Sequence, residues 1–241
     1  MHELEPLLDK SVKQFIDVLQ TRFAASGKIC DLADFIHFCT SHSPRAARSC
    51  EVIDPSSVAF DAIMDIAFSN PVGFVKAGHD VHGIIELQKF INHPWVNPVL
   101  GTKTSDTSGP GMIRGMAIGE VRRRLKHGNP HGNKDLLHRF LEFRDKDGHG
   151  IPQQELEVEA FTPVIAGPES VATILRVAIV YIIGTPRVYR KLMAEISEKE
   201  RLGLLSSPAT YEEAKNMPFM AAIVKEVFRI HPPIGYAISK H

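Results

Sequence analysis

Leu4, Leu7, Leu8, Val12, Phe15, Ile16 and Leu19 recur at three- and four-residue steps, the spacing of an amphipathic helix. A second short apolar segment begins at Asp31-Leu32-Ala33-Asp34-Phe35-Ile36. The pattern then breaks: Thr40 to Ser57, TSHSPRAARSCEVIDPSS, holds two prolines and five serines and has no usable period. Helical spacing returns at Phe60, Ile63, Met64, Ile66 and Ala67. Gly101 to Gly111 (GTKTSDTSGPG) reads as a polar loop, and Glu120 to Lys126 (EVRRRLK) as a basic helical end running into the loop HGNPHGNK. LLHRFLEF from Leu136 is amphipathic, and RDKDGHGIPQQ after it is rich in turn residues. A long helix is predicted over 155–184, about 45 Å at 1.5 Å per residue. Its second half, Val171 to Ile183, is apolar nearly all round, with only Arg176 charged. A helix without a polar face must be surrounded by protein, which makes it the axle of a mostly helical domain. Gly184 suits a left-handed C′ position, Thr185 an N-cap and Pro186 the N1 position of the next helix. Thr210 and Glu213 have capping-box spacing. The last helix is predicted over 218–231, opened by Pro218 and stopped at His231-Pro232-Pro233. The fold class that follows is mainly α, with no internal repeats.

Composition narrows the function. The 241 residues carry 28 Lys+Arg and 28 Asp+Glu, which excludes the broad basic face of a general nucleic-acid binder. With 44% hydrophobic and 23% charged residues, the chain has enough apolar material for a packed core. Cys30, Cys39 and Cys50 are odd in number and lack CxxC spacing, so neither a disulfide framework nor a structural zinc site is indicated. The opening MHELEPLLDK is not a signal peptide, and there is no uninterrupted apolar run of about 18 residues, so no transmembrane segment is expected.

Two constellations carry candidate chemistry. The first is Ala166-Gly167-Pro168-Glu169-Ser170 inside the long helix. Pro168 removes a backbone donor and Gly167 removes side-chain bulk, so together they should open a kink or groove. Glu169 and Ser170 would place an acid and a hydroxyl there; they read either as a proton-delivery pair or as a proline kink with a hydrated carboxylate. The second is Glu226-Val227-Phe228-Arg229 followed by Pro232. Glu and Arg three apart share a helix face; among the apolar neighbours Phe219 to Val224 such a pair would be a structural clamp, and elsewhere most are surface ion pairs.

In this order and separation the two elements resemble the cytochrome P450 superfamily of heme-thiolate monooxygenases. Ala166, Gly167, Glu169 and Ser170 match the small-Gly-x-acid-alcohol motif of its long central helix, and Glu226, Arg229 and Pro232 match ExxRxxP. TPRVYRKLMAEI and RIHPPIGY are also similar to the family, while DLADFIHF and GFVKAGHDVHGII resemble fungal microsomal members of secondary metabolism. The resemblance implies a partial cytochrome P450 fold over 1–241, from the middle helices through the ExxR helix. It implies a heme cofactor and a lipophilic small-molecule substrate. Electrons would come from NADPH through NADPH-cytochrome P450 reductase, at the endoplasmic reticulum membrane for a full-length relative. Ala166 and Gly167 would give room for dioxygen beside the cofactor, Glu169 and Ser170 would relay protons, and Glu226 and Arg229 would clamp the core. Ser170 stands where Thr is commonest, which keeps the hydroxyl but loses the methyl that restricts its rotamer.

The family's axial Cys lies in a Gly-rich loop after ExxR, and none of Cys30, Cys39 and Cys50 has that context. The expectation is therefore a chain truncated at both ends, inactive as written and cytoplasmic. The alternative is a non-catalytic remnant or gene-model fragment that binds no heme. Residues 40–57 interrupt a junction that is nearly direct in relatives, and read as a retained intron or an ordinary loop insertion. Asp145 to Ile151 resembles the start of an EF-hand loop, but Leu156 occupies the position of the bidentate Glu, so an inter-helix loop is expected. His79-Asp80-Val81-His82 lacks a third metal ligand, and Gly109-Pro110-Gly111 fails the dinucleotide-binding spacing. No metal ligand is assigned.

Overall fold

In a computed structural model of the protein, residues 4–27, 55–77, 81, 109–130 and 132–233 are described. Nine α-helices are found among them, and no strand. They are α1 (Glu5–Leu19), α2 (Pro55–Phe68), α3 (Phe74–Ala77), α4 (Gly109–His127), α5 (Leu136–Glu142), α6 (Gln153–Gly184), α7 (Pro186–Arg201), α8 (Tyr211–Lys215) and α9 (Pro218–Ile230). The chain divides into two compact units, one of residues 1–31 and 44–169 and the other of 32–43 and 170–241, so the boundary falls inside α6.

The core of the first unit follows from helical spacing. Phe60, Met64, Ala67 and Phe68 of α2 meet Phe74, then Ile113, Ala117 and Val121 of α4, Leu137, and Leu156, Ala160 and Val164 of α6. The i, i+4 series on α4 and α6 are the rows that interlock when helices pack. Phe60 and Phe74 make an edge-to-face pair with centroids 5.3 Å apart. On α1 the apolar stripe is only partly used, since Leu7 is buried but Leu8 is 41% exposed. The helix runs on through a π-helical turn, Gln20–Ala24, which buries Phe23.

Polar groups inside this unit are tied to helix ends. The Asp61 carboxylate accepts from the backbone N–H groups of Gly73 (2.7 Å) and Val75 (2.9 Å) at the start of α3. Arg22 donates to the Lys76 carbonyl at the other end of α3, at 3.1 Å. Lys10 of α1 reaches the buried Asp65 carboxylate at 3.4 Å. The Asp135 carboxylate caps α5 by accepting from the His138 N–H at 2.9 Å, and it also accepts from Ser69 Oγ and Arg124 Nη2 at 2.8 Å each. Arg124 donates in addition to the Phe68 carbonyl, the last of α2, at 3.1 Å.

Several predicted boundaries shift. Pro55 to Ser57 form the first turn of α2, and Gly109 to Gly111 the first turn of α4, because a first-turn proline gives up no helical hydrogen bond. The rest of 40–57 lies outside the described residues, as do Asp31–Ile36, His79, Asp80, His82 and the three cysteines. The long helix starts at Gln153 and contains Pro163 as well as Pro168. Gly184 is not left-handed but the last residue of α6; the break is made by Thr185, which is extended (φ −119°, ψ 91°) and makes no capping hydrogen bond.

In the second unit α7 ends in a Schellman turn. Gly203 (φ 67°) lets Leu204 N–H reach Lys199 C=O and its own N–H reach Glu200 C=O, both at 2.9 Å. The capping box of Thr210 and Glu213 forms. Hydrogen bonds from the Ser206 hydroxyl and from the Thr210 and Ser206 N–H groups pull the Glu213 carboxyl down to about 2. Leu192, Met217 and Val227 are the buried contacts of α7 to α9.

The second half of α6 differs from expectation. Val171, Leu175, Tyr181 and Ile183 are 41–61% exposed, and Ala172 is its one buried apolar residue. A helix apolar on every face needs neighbours on every side, and the described residues of this unit, which pack chiefly on one another, do not supply them. By length and composition α6 would suffice to cross a membrane. Its first half is nevertheless core of the first unit, through Leu156, Ala160 and Val164.

Arg124→Ala should cost about 3–5 kcal/mol, because it leaves Asp135 charged and buried with too few partners. Arg124→Met combined with Asp135→Asn should cost less than the sum of the single changes. Urea midpoints at unchanged m value measure both effects.

Candidate functional site

The motif on α6 presents its residues to different sides of the helix. Pro168 is buried, in line with Ala160 and Val164, while Ala166, two residues from Val164 and so about 200° away, is exposed. Gly167 faces the body of the first unit. A Cβ built there would lie 3.0 Å from Ile63 Cδ1 and 3.1 Å from Ile63 Cγ1 of α2. The glycine therefore admits a neighbouring helix, and the room expected beside it is occupied by a side chain.

Glu169 and Ser170 follow on the next turn, both half-buried rather than deep in apolar surroundings, and both engaged with other groups. One turn before the motif, Thr162 Oγ donates to the Val158 carbonyl at 2.9 Å. That places a hydroxyl-to-backbone bond directly before Pro163, where the helix lacks a donor. The second proline went unremarked in the sequence reading.

On α9 the predicted pair forms as a fork. Arg229 Nε and Nη2 donate to the two carboxylate oxygens of Glu226 at 2.8 and 2.7 Å. The hydrogen bond from Arg229 holds the Glu226 carboxyl below its ordinary 4.5, and Glu226 in turn raises Arg229. The pair is not enclosed by Phe219 to Val224 as expected, since the side chains of Arg229 and Glu226 are 71% and 53% exposed. In helical register Val227 faces inward, and its neighbours Glu226, Phe228 and Arg229 face out.

Two residues that serve these motifs lie outside the motifs themselves. Ile63 reads only as a helical position, and Glu195 only as part of the helix opened by Pro186 and of the family-like segment TPRVYRKLMAEI. Glu195 accepts from the backbone N–H groups of Phe219 and Met220, each at 2.9 Å. A signal was available, since Met217 precedes Pro218 where a capping Ser, Thr, Asp or Asn would be usual.

In the loop before α6, Asp145, Asp147 and His149 bring ligand atoms within 4.8 Å of one another, all exposed. The Asp145 carboxylate is used on the backbone, accepting from Asp147 N–H (2.9 Å) and His149 N–H (2.7 Å). This is the inter-helix loop expected there, closed by an Asx-type turn.

A heme would find one suitable feature here, the small, exposed Ala166 side chain with Glu169 and Ser170 on the following turn. No cysteine lies among the described residues to supply a thiolate, and Gly167 is closed by Ile63.

The sequence profile of the Cytochrome P450 family matches residues 1–241. Cytochrome P450 monooxygenase aba1 of Botryotinia fuckeliana is 33% identical over 193 residues, which is 72% of this chain and 36% of that protein. A cytochrome P450 monooxygenase of Aspergillus terreus is 26% identical over 250 residues (96% of this chain, 47% of that one). Quiannulatic acid synthase of Emericella variicolor is 25% identical over 257 residues (95% and 46%). Among solved structures, a cytochrome P450 (CYP102L1) superposes with a TM-score of 0.70 at 16% identity, covering 95% of this chain and 46% of that one. The heme domain of cytochrome P450DA gives 0.64 at 16% identity, with 94% and 46% covered. The chain thus spans less than half the length of each of these proteins.

Gly167→Ala should destabilise by about 1–3 kcal/mol through overpacking against Ile63. In an Ile63→Ala background the same change should stabilise by up to about 1 kcal/mol, the helix-propensity gain of Ala over Gly. A double-mutant cycle from denaturation curves reads that change of sign. Because the Glu226 carboxyl is depressed, its ion pair is complete above the ordinary carboxylate range and is lost as pH falls through the lowered value. Arg229→Gln should return Glu226 to the ordinary range, seen by carbon-detected NMR titration of its carboxyl.

Proposed function

Since the chain belongs to the cytochrome P450 family, we propose that its chemistry is that of a heme-dependent monooxygenase acting on a lipophilic small molecule. Electrons would come from NADPH through NADPH-cytochrome P450 reductase at the endoplasmic reticulum membrane. The reading rests on one observation above others: the acid–alcohol pair Glu169-Ser170 follows the exposed Ala166 on the long central helix, and the same chain carries a formed Glu226–Arg229 fork on α9. A bound heme supplies dioxygen activation. The chain's own residues supply the setting: Ala166 keeps its side of α6 open to a small molecule, and Gly167 locks α6 to α2 through Ile63.

Glu169 and Ser170 would hold and pass protons along that face. A half-buried carboxylate and hydroxyl one residue apart stay within reach of water, which a proton path needs and a fully enclosed pair would lack. Glu226 and Arg229 serve as a structural clamp.

The iron ligand is a separate matter. All three cysteines precede the long helix, at 30, 39 and 50, whereas the thiolate of the family follows ExxR. We therefore assign no oxygen insertion to these 241 residues acting alone. Adding heme to the purified chain, reducing it and exposing it to carbon monoxide should give no thiolate-type Soret band. A thiolate-type band lost on replacing one of Cys30, Cys39 or Cys50 would overturn this assignment and identify the ligand.

A further inference from the structure

The Glu226–Arg229 fork is exposed, so its own side chains do not determine where it points; that direction is set by the helix that carries it. The start of α9 has no local means of fixing itself. Its N-cap residue, Met217, is extended (φ −111°, ψ 91°) and makes no capping bond, and Pro218 at the first helical position has no N–H to offer. Two unsatisfied donors follow, the N–H groups of Phe219 and Met220, and a single carboxylate from another helix takes both. Glu195 Oε1 accepts from Phe219 and Oε2 from Met220, each at 2.9 Å. One turn earlier on the same face of α7, Lys191 Nζ stands 4.5 Å from the Phe219 ring centroid.

A carboxylate that takes adjacent N–H groups on its two oxygens fixes both the position and the roll of a helix end. A single apolar contact fixes neither, because it permits sliding and rotation. The buried contacts Leu192, Met217 and Val227 hold the helices together; the Glu195 fork determines how. Negative charge at a helix N-terminus is favourable in its own right, since the terminal N–H groups carry the positive end of the helix dipole. From Met220 to Glu226 is six residues, about 9 Å of rigid helix. A change of roll at Phe219 is therefore delivered undiminished to Glu226 and Arg229.

We propose that Glu195, assisted by Lys191, is a positioning residue for the Glu226–Arg229 pair, setting the register and roll of α9 from α7. The proposal rests on the reading of that pair as a functional clamp, and it can fail independently of it.

The test is NMR on the 241-residue chain with Glu195→Ala, Glu195→Gln and Glu195→Asp. Glu195→Gln, which keeps the shape but neither the charge nor the second acceptor, should leave at most one of the Phe219 and Met220 amides bonded and so change their amide proton shifts. Glu195→Ala should speed amide exchange at both positions by about tenfold or more, the factor expected for losing a charge-assisted hydrogen bond. Residual dipolar couplings of α9 should then no longer fit one alignment with α7, while carbon shifts still report a helix over 221–230. Glu195→Asp should restore part of the alignment, which a loss of general stability would not produce. Unchanged dipolar couplings in Glu195→Ala and Glu195→Gln would overturn the proposal, leaving α9 set by its apolar contacts. Should Glu195→Ala not fold, Glu195→Gln alone decides. The clamp reading is checked separately: Arg229→Gln should move the Glu226 titration and leave the Phe219 and Met220 amides as they were. If it leaves Glu226 unmoved, the ion pair fails while the Glu195 result stands.

Discussion

The first unit depends on one buried ion pair, Arg124–Asp135, with both side chains almost wholly removed from water. Each group it joins would be a liability alone. The Phe68 carbonyl closes α2 without a helical donor, Ser69 is a non-glycine residue held at φ 54°, and α5 begins with a free N–H at His138. Asp135 and Arg124 are a carboxylate and a guanidinium inside a core. Brought together, all but one of these demands are met; Arg124 Nε finds no acceptor among the described residues. Ion pairs of this kind add little stability relative to a well-packed apolar alternative, but they tolerate few wrong arrangements. Here the pair fixes where α2 stops relative to α4 and α5. The direction of α2 is then determined, and with it the placement of Ile63 against α6.

That placement explains how the long helix serves two purposes. Its inward row, Leu156, Ala160, Val164 and Pro168, is core, and Gly167 lets Ile63 approach so closely that a side chain at 167 would make Ile63 give way by a few tenths of an ångström. Fixing one side of a helix this firmly fixes the opposite side as well, because the roll of a rigid rod is a single variable. Ala166 and the Glu169-Ser170 pair inherit their orientation from packing on the far side of the helix. The prolines reinforce the arrangement. Both lie in the portion of α6 that belongs to the first unit, where neighbours can compensate for missing backbone donors.

Much of this was legible in the residues because the determinants were local. Helix periods, the capping box at Thr210 and the stop at His231 are written within a few residues of where they act, and both family motifs fall on the helices predicted for them. What could not be read was every contact made across the chain: Arg124 with Asp135, Asp61 with the start of α3, Ile63 with Gly167, Glu195 with α9. Gly184 and Thr185 show the same limit from the other side. Their types suit a left-handed cap and a side-chain cap, yet proline at 186 and an extended residue before it suffice to end one helix and start another. The apolar second half of α6 was read as buried, and the described residues leave much of it exposed. Composition states what a helix needs around it, not whether those neighbours are present.

The ion pair on α9 poses the sharpest question of purpose. An exposed i, i+3 pair contributes at most a few tenths of a kcal/mol to a helix, and salt screens much of that. Stability within these residues therefore gives no reason for Glu and Arg at 226 and 229, nor for holding their helix from outside through Glu195. Two further features point the same way. The fork is fully formed, so both side chains are already ordered before anything engages them, and the residues beside it, Val224, Phe228 and Ile230, are apolar and 40–47% exposed. Removing water from around such a pair strengthens its Coulomb attraction but also costs the desolvation of both charges, so a preformed fork contributes a fixed arrangement more than net stability. On α9 one carboxylate from α7 sets the helix end, and the helix presents an ordered fork beside exposed apolar side chains.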